Sequence, residues 1–209
     1  MYHTEQENFW AGEFGNAYVE RNQGEQMLAS NLALFSEALR HVQPIHRMIE
    51  FGANRGMNLK ALQSLFPNIK QNAIEINEKA VAELSKVIPS ENIFHDSILE
   101  WQNDGQWDLT LIKGVLIHIN PDELPKVYQK LVDSTQKYLL VVEYYNPSPM
   151  MVSYRGYNER LYKRDFAGEI LANHPDMKLI HYGFFYKGDP NFPQDDLTYF
   201  LLEKQPMEK

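Results

Sequence analysis

The 209-residue chain has no cysteine, so it can form neither disulfides nor thiolate metal sites. It has no run of 18 apolar residues, which excludes an obvious helical membrane span. Its basic residues form no run and the formal net charge is −8, whereas a nucleic-acid partner normally meets a basic stripe. No nucleic-acid and no membrane partner is therefore expected. The opening residues Met1-Tyr2-His3-Thr4-Glu5-Gln6-Glu7 are polar and acidic, unlike a signal peptide or an anchor, and a cytoplasmic location is the default expectation. Neither an internal repeat nor a low-complexity segment is present. The length suits one domain spanning 1–209, with room for a lid over a site.

Glycine is sparse, with 11 in the chain, and two of them sit in the stretch around which the rest is organised. Met48-Ile49-Glu50-Phe51 is a short apolar run with an acid inside it, and Gly52-Ala53-Asn54-Arg55-Gly56 follows before a helical pattern begins. This is the layout of a first β-strand, a tight turn and a helix N-terminus in a doubly wound α/β domain, where ligands bind at the carboxyl ends of the strands. A dinucleotide fingerprint requires Gly-x-Gly-x-x-Gly. Here Asn54 stands two residues after Gly52 and the next glycine is Gly56, so that fingerprint fails. The pattern Glu-x-Gly-x-x-x-Gly resembles the first motif of class I S-adenosylmethionine (SAM) methyltransferases. Asn54 replaces a third glycine there, and asparagine tolerates a left-handed backbone better than other side chains.

Ahead of this turn, Phe9, Trp10, Phe14 and Tyr18 alternate with glycines and charges over residues 5–25. So many aromatics must bury something, either as a flap over a ligand or as a short helix on the domain edge. Leu28, Leu32, Phe35 and Leu39 form one apolar stripe, predicting a helix over 26–42 that ends at Pro44. Leu59, Leu62 and Leu65 mark the next helix, and Asn72-Ala73-Ile74-Glu75-Ile76 is a short second strand. An acid at the end of a second strand can accept hydrogen bonds from both ribose hydroxyls of a nucleoside lying across the first turn, which is the reading for Glu75 with Ile76 beside it. The competing reading is an acid at the N-terminus of the helix over 77–87. A third strand, 92–95, ends in Asp96-Ser97, and a fourth, 108–114, ends in Lys113-Gly114. Asn120-Pro121 is the cap and first residue of the helix that follows. The apolar run 138–143 is a strand buried on both faces. Segments 178–186 and 197–204 read as a closing pair of strands joined by a long loop, 188–196, which either borders the active site or only crosses the surface.

Beyond the fifth strand, a substrate-side loop over about 144–163 combines Tyr144, Tyr145, Asn146, two prolines and Arg155, and Lys163-Arg164 opens the next helix. Arg155, Lys163 and Arg164 suit a carboxylate or phosphate, although a solvated charge cluster at a helix start has the same composition.

Taken together, the chain resembles the class I SAM-dependent methyltransferases over essentially its whole length. More narrowly, it is similar to the pseudaminic acid biosynthesis-associated methylase family. The resemblance rests on residues 9–15, 50–59, 113–121, 143–149, 154–156, 163–169 and 189–196. It implies a seven-stranded, mostly parallel sheet with helices on both faces and the last strand antiparallel. It also implies SAM as methyl donor and a small, anionic or sugar-derived acceptor in a nonulosonic-acid or surface-polysaccharide pathway. In this resemblance Glu50 and the turn Gly52, Ala53, Asn54, Gly56 pass under the methionine part, Asp96 takes the adenine amino group, and the amide of Ser97 takes a ring nitrogen. On the hypothesis of an in-line methyl transfer, Lys113 and Gly114 are expected to line the strand edge beside the sulfonium, and Tyr18 and Arg21, on the N-terminal flap, to close over the methionine carboxylate. His118, just after the fourth strand, is the candidate general base, with a structural histidine as the alternative. The fourth strand does not end in the Asn/Asp-Pro-Pro-aromatic cluster of exocyclic base methylases, nor in the aspartate of metal-dependent catechol-type enzymes, so no metal is expected. Two other classes stay open: a non-catalytic SAM-binding scaffold and a nicotinamide oxidoreductase on a similar sheet.

Overall fold

In chain order the elements are helices α1 (Glu5–Ala11), α2 (Glu13–Arg21) and α3 (Glu25–Ala38), then β1 (Arg47–Phe51), α4 (Met57–Leu65), β2 (Lys70–Glu75), α5 (Glu78–Leu84), β3 (Ile93–His95) and β4 (Trp107–Lys113). They continue with α6 (Leu124–Ser134), β5 (Thr135–Glu143), β6 (Met150–Tyr154), β7 (Tyr157–Lys163), α7 (Phe166–Asn173), β8 (Met177–Phe185) and β9 (Leu197–Lys204). This computed structural model describes residues 2–154 and 157–206, with the side chains of 153, 154 and 157–160 set aside.

Seven strands form one sheet in the order β3-β2-β1-β4-β5-β9-β8. The pairs β1–β2, β1–β4, β2–β3 and β4–β5 are parallel, and β9 runs antiparallel to both β5 and β8. The expected doubly wound α/β sheet with a reversed last strand is therefore the observed one. From β1 the chain winds outward through β2 and β3, then returns to β4 on the other side. The strand order thus reverses between β1 and β4, and a crevice opens there at the carboxyl edge.

Side chains alternate across the strands with a period of two. Met48, Leu109, Leu111, Leu140 and Val142 pack toward α3, α4 and α5, against Leu34, Phe35, Leu59, Leu62 and Leu84. Ile49, Phe51, Ile112, Leu139 and Val141 pack toward α6 and α7, against Val127, Leu131, Phe166 and Ile170. The same alternation sets Glu50 and Lys113 on the α3–α4 face and Glu143 on the α6–α7 face.

Three local differences from the sequence reading bear on the site. The stretch 5–25, read as a flap or a single short helix, is more regular than either reading. It is two helices broken at Gly12, and Thr4 starts α1 with a capping box whose partner is Glu7. The substrate-side loop contains a two-stranded antiparallel hairpin, β6–β7, in which Met150 pairs with Lys163 and Val152 with Leu161. The buried face of α3 begins with Ser30 and Asn31 before Leu34, Phe35 and Ala38, so two polar residues share its inner side. Among the described residues no helix is long and apolar enough to cross a membrane.

Candidate active site

The turn after β1 has the backbone its sequence demands. Gly52 and Gly56 have φ of 77° and 81°, and Asn54 adopts the left-handed φ of 47°. Space is as tight as conformation here: a Cβ on Gly52 would sit 2.6 Å from Val115 Cγ2. The turn is pinned to β2, because the Gly52 and Ala53 amides donate to the Ile74 carbonyl at 2.9 and 3.2 Å.

Glu75 closes β2, and its carboxylate knits two turns together. Oε2 accepts from the Asn54 amide at 2.7 Å and Oε1 from the Asn77 amide at 2.8 Å. Burial pushes its carboxyl up, against the opposing pull of those amides. Each oxygen keeps a further lone pair for a ligand hydroxyl.

A cavity of about 560 Å³ lies over this carboxyl edge. Of the residues read from the sequence, Tyr18, Gly52, Ala53, Asn54, Glu75, Ile76, Asp96, Ser97, Lys113, Gly114, His118 and Tyr144 line it. Gly56 lies outside the lining, behind the turn, where a Cβ would meet Leu84 and Val87. Asp96 accepts from the Ser97 amide through Oδ1 at 2.7 Å. That amide, expected to be free for a ring nitrogen, is thus used locally. Ser97 Oγ donates to Oε1 of Glu7. The other oxygen of Glu7 accepts from the amide and hydroxyl of Thr4 at 2.8 and 2.9 Å. Although burial alone would raise the Glu7 carboxyl, these bonds from Ser97 and Thr4 bring it below the usual range.

Helices α1 and α2 form the cover. Asn77 Nδ2 donates to the Trp10 carbonyl at 3.1 Å and to Asn16 Oδ1 at 2.9 Å. Arg55 donates to the Val19 carbonyl at 3.2 Å while pairing with Glu83 at 3.0 Å. Trp10 packs edge-on to Tyr18 and lies 4.5 Å, centroid to centroid, from the His118 ring. Arg21 does not line the cavity; it is exposed, with its guanidinium 5.6 Å from the Phe14 ring centroid and 5.8 Å from that of Tyr18.

Buried acids support the floor. Glu50 is fully buried, accepts from Asn58 Nδ2 at 2.6 Å through Oε1, and leaves Oε2 without a hydrogen bond. Burial pushes its pKa up to about 8. Glu143 ends β5, and its Oε1 accepts from the Val115 and Leu116 amides at 2.9 Å each. It therefore holds the short turn that carries His118, and burial raises it to about 7.

The acceptor-side cations are mostly committed elsewhere. Arg164 donates to Glu169 at 2.7 Å, and Glu169 also accepts from the Tyr128 hydroxyl at 2.7 Å. Lys163 stands 4.7 Å above the Tyr144 ring. Tyr145 is 43% exposed against Phe200, and Asn146 bonds to the Ser148 and Arg164 carbonyls, so neither reaches the cavity. Arg155 lies outside the described residues. Among the described residues no group of three or more histidines and acids is placed to hold a metal ion.

The sequence reading did not single out Glu7, Asn77, Ser30 or Asn31, all of which line the cavity, whereas the 188–196 loop, left between site border and surface, does reach the lining through Gln194 and Asp195. Glu7 was recoverable from the spacing Thr4-x-x-Glu7. The others come from separate segments, and no local pattern unites them.

The topology, the turn and the strand-end acid together define the class I methyltransferase fold. No family model matches the chain, and neither does any curated protein. Among solved structures, the plantazolicin methyltransferase BpumL in complex with SAH is similar at a TM-score of 0.65 and 13% identity, over 96% of this chain and 94% of its own. The 1,6-didemethyltoxoflavin-N1-methyltransferase of Burkholderia thailandensis, with bound 1,6-didemethyltoxoflavin and S-adenosylhomocysteine, gives 0.69 and 11% over 96% and 87%. Magnesium protoporphyrin IX methyltransferase (ChlM) from Synechocystis PCC 6803 with bound SAM gives 0.66 and 12% over 98% and 100%. At these identities the likeness is one of fold.

Proposed function

We propose that the chain is a SAM-dependent methyltransferase acting on a small acceptor. The observation that carries this reading is Glu75: a buried strand-end carboxylate, oriented by two backbone amides, on the wall of a cavity that also holds Asp96 and the Gly52–Gly56 turn. In this reading Glu75 holds the ribose hydroxyls and Asp96 the adenine amino group. Gly52 to Asn54 give the methionine part a backbone without bulky side chains, and α1–α2 exclude water. SAM itself supplies a methyl group on a good leaving group, so the protein's main task is alignment, worth roughly 7–11 kcal/mol in favourable cases. The cavity volume falls within the ordinary range for small-ligand sites. Solved structures named for small-molecule and natural-product methylation support a small acceptor. The resemblance of the sequence to pseudaminic acid biosynthesis-associated methylases is what favours one that is anionic or sugar-derived.

Calorimetric titration with S-adenosylhomocysteine tests the cofactor. Wild type is expected to bind, and Glu75→Gln to bind about 10- to 100-fold more weakly, since hydrogen bonds to a charged group contribute about 1.5–3 kcal/mol each. Absence of binding to wild type, with heat on adding NAD instead, would return the nicotinamide reading.

His118 is the base where the acceptor is a hydroxyl or a protonated amine. It is buried against Trp10 on the cavity wall. His118→Gln is expected to lower kcat about 100-fold or more while leaving S-adenosylhomocysteine affinity intact. Unchanged turnover across pH would remove the role.

A further inference from the structure

The cavity has a second compartment, on the far side of β4 from Glu75 and Asp96, that the nucleoside reading does not use. Its walls are Lys113 at the end of β4, Ser30 and Asn31 on α3, and Gln194-Asp195 in the loop before β9. These segments meet at the same place. Gln194 Nε2 donates to Asn31 Oδ1 at 3.0 Å, and Asp195 acts electrostatically on Lys113. The alternation of β4 puts Lys113 on the sheet face that α3 covers.

The compartment is polar and short of partners. Ser30 is 2% exposed, yet its hydroxyl has no hydrogen-bond partner among the described residues. Asn31 is 1% exposed, and its side-chain carbonyl accepts from Gln194 beside that hydroxyl. Buried polar groups are normally satisfied, so an open hydroxyl next to this amide pair on a cavity wall points to a ligand. Lys113 is the distinctive member. Of the cations on this wall, Arg55 is paired with Glu83 and Lys187 with Asp196, whereas Lys113 has no ion pair within 4.0 Å among the described residues. Burial lowers the Lys113 ammonium itself and pushes the nearby acids Glu50 and Glu143 toward the neutral form, so an anion brought by a ligand would favour its charged state.

We infer that Lys113, with Ser30 and the Asn31–Gln194 amide pair, binds an anionic group of the acceptor, a carboxylate in the first instance. The inference rests on the proposed methyl transfer and names its substrate class. A methyl donor brings a sulfonium charge into the cavity, and an ammonium beside it is tolerated when an anion lies close by. An acceptor carrying that anion is drawn in by both charges and is fixed relative to the donor. This assigns to Lys113 the part that composition alone gave to Arg164, which its bond to Glu169 occupies.

The test uses protein saturated with S-adenosylhomocysteine and a matched pair of probes, glucuronate and its uncharged amide, followed by ligand-observed NMR. Wild type is expected to favour glucuronate by about tenfold, as a charge-assisted hydrogen bond implies. Lys113→Met is expected to abolish that preference, and Lys113→Arg to retain most of it. Asp195→Asn, an exposed change that folds whatever Lys113→Met does, is expected to strengthen the preference by removing a competing anion. Wild type that does not distinguish the probes, including one that binds neither, overturns the inference. So does a preference that survives in Lys113→Met, or one unmoved by Asp195→Asn. If Lys113→Met is folded but loses S-adenosylhomocysteine, the ammonium serves the methionine carboxylate and the acceptor assignment falls while methyl transfer stands. Wild type that fails to bind S-adenosylhomocysteine removes the methyltransferase reading itself.

Discussion

Gly15→Ala is expected to weaken S-adenosylhomocysteine binding about tenfold or more by lifting α1–α2 off the cavity. A Cβ at Gly15 would lie 1.8 Å from the Trp10 carbonyl oxygen and 2.8 Å from Asn77 Nδ2. The first obstacle is backbone, so no rotamer change relieves it. The second is the side chain that fastens the cover to α5 through the Trp10 carbonyl and Asn16. Overpacking of this kind costs about 1–3 kcal/mol, whereas glycine to alanine inside an unhindered helix gains up to about 1 kcal/mol. The sign of the effect therefore reports the contact and not helix propensity. Once α1 moves, Glu7 leaves Ser97, and Trp10 and Tyr18 leave the cavity wall, so the loss reaches the nucleoside end directly. The contacts that fasten α1–α2 to the rest of the domain include Asn77, Arg55, Ser97, the His118 ring and an exposed pair between Lys79 and Glu20. Hydrogen exchange should accordingly show amides of 5–21 losing protection while those of β4 and β5 keep theirs. A variant with wild-type affinity and wild-type protection at 5–21 would show that the cover has no part in binding.

The cover also shows where sequence reading succeeds and where it stops. Aromatics between glycines announced that residues 5–25 bury something, but Gly15 as the point of contact depends on Trp10 and Asn77 meeting in space. The β1–α4 turn was legible because its constraint is local: an apolar run, then residues that accept positive φ. The place of Glu75 on the cavity wall was legible because a second strand of this fold ends at the carboxyl edge. Ser30 and Asn31 were invisible for a physical reason. Helical periodicity is read from apolar residues, and a helix that turns one end of its inner face toward a cavity makes that end polar. The stripe of Leu28, Leu32, Phe35 and Leu39 therefore located α3 without revealing its polar inner end. Arg164 misled in the opposite way: its charge suggested a ligand, and its partner Glu169, five residues on, takes it. The β6–β7 hairpin was masked by Pro147 and Pro149, which mark a loop but do not forbid strands after it.

Glu50→Gln is expected to make the protein more stable at pH 8 and to make little difference near pH 5. Glu50 has a folded pKa of about 8 against an ordinary 4.5, the main cause being burial. Below the lower value the carboxyl is protonated in both states and contributes nothing to the difference. Between the two values the unfolded chain has lost the proton while the folded chain keeps it, so folding stability declines as pH rises and levels off above about 8. The shift corresponds to a loss on the order of 4 kcal/mol across that window. Glutamine does not titrate, keeps an oxygen for Asn58, and puts an amide where Oε2 already lacks a partner. Against this, Lys113 loses an opposite charge nearby, so the net gain at pH 8 should be about 1–3 kcal/mol. Comparing the variant with wild type cancels groups whose shifts run the other way, Glu7 and Asp108 among them. Urea unfolding of both proteins at pH 5 and pH 8 reads the result, and a variant no more stable than wild type at pH 8 would refute it. An acid kept where a neutral isostere would stabilise the fold is retained for something other than stability. Glu50 lies under the glycine turn, outside the cavity lining and on the same sheet face as Lys113, so weaker S-adenosylhomocysteine binding by the stabilised variant would show that it acts through that turn.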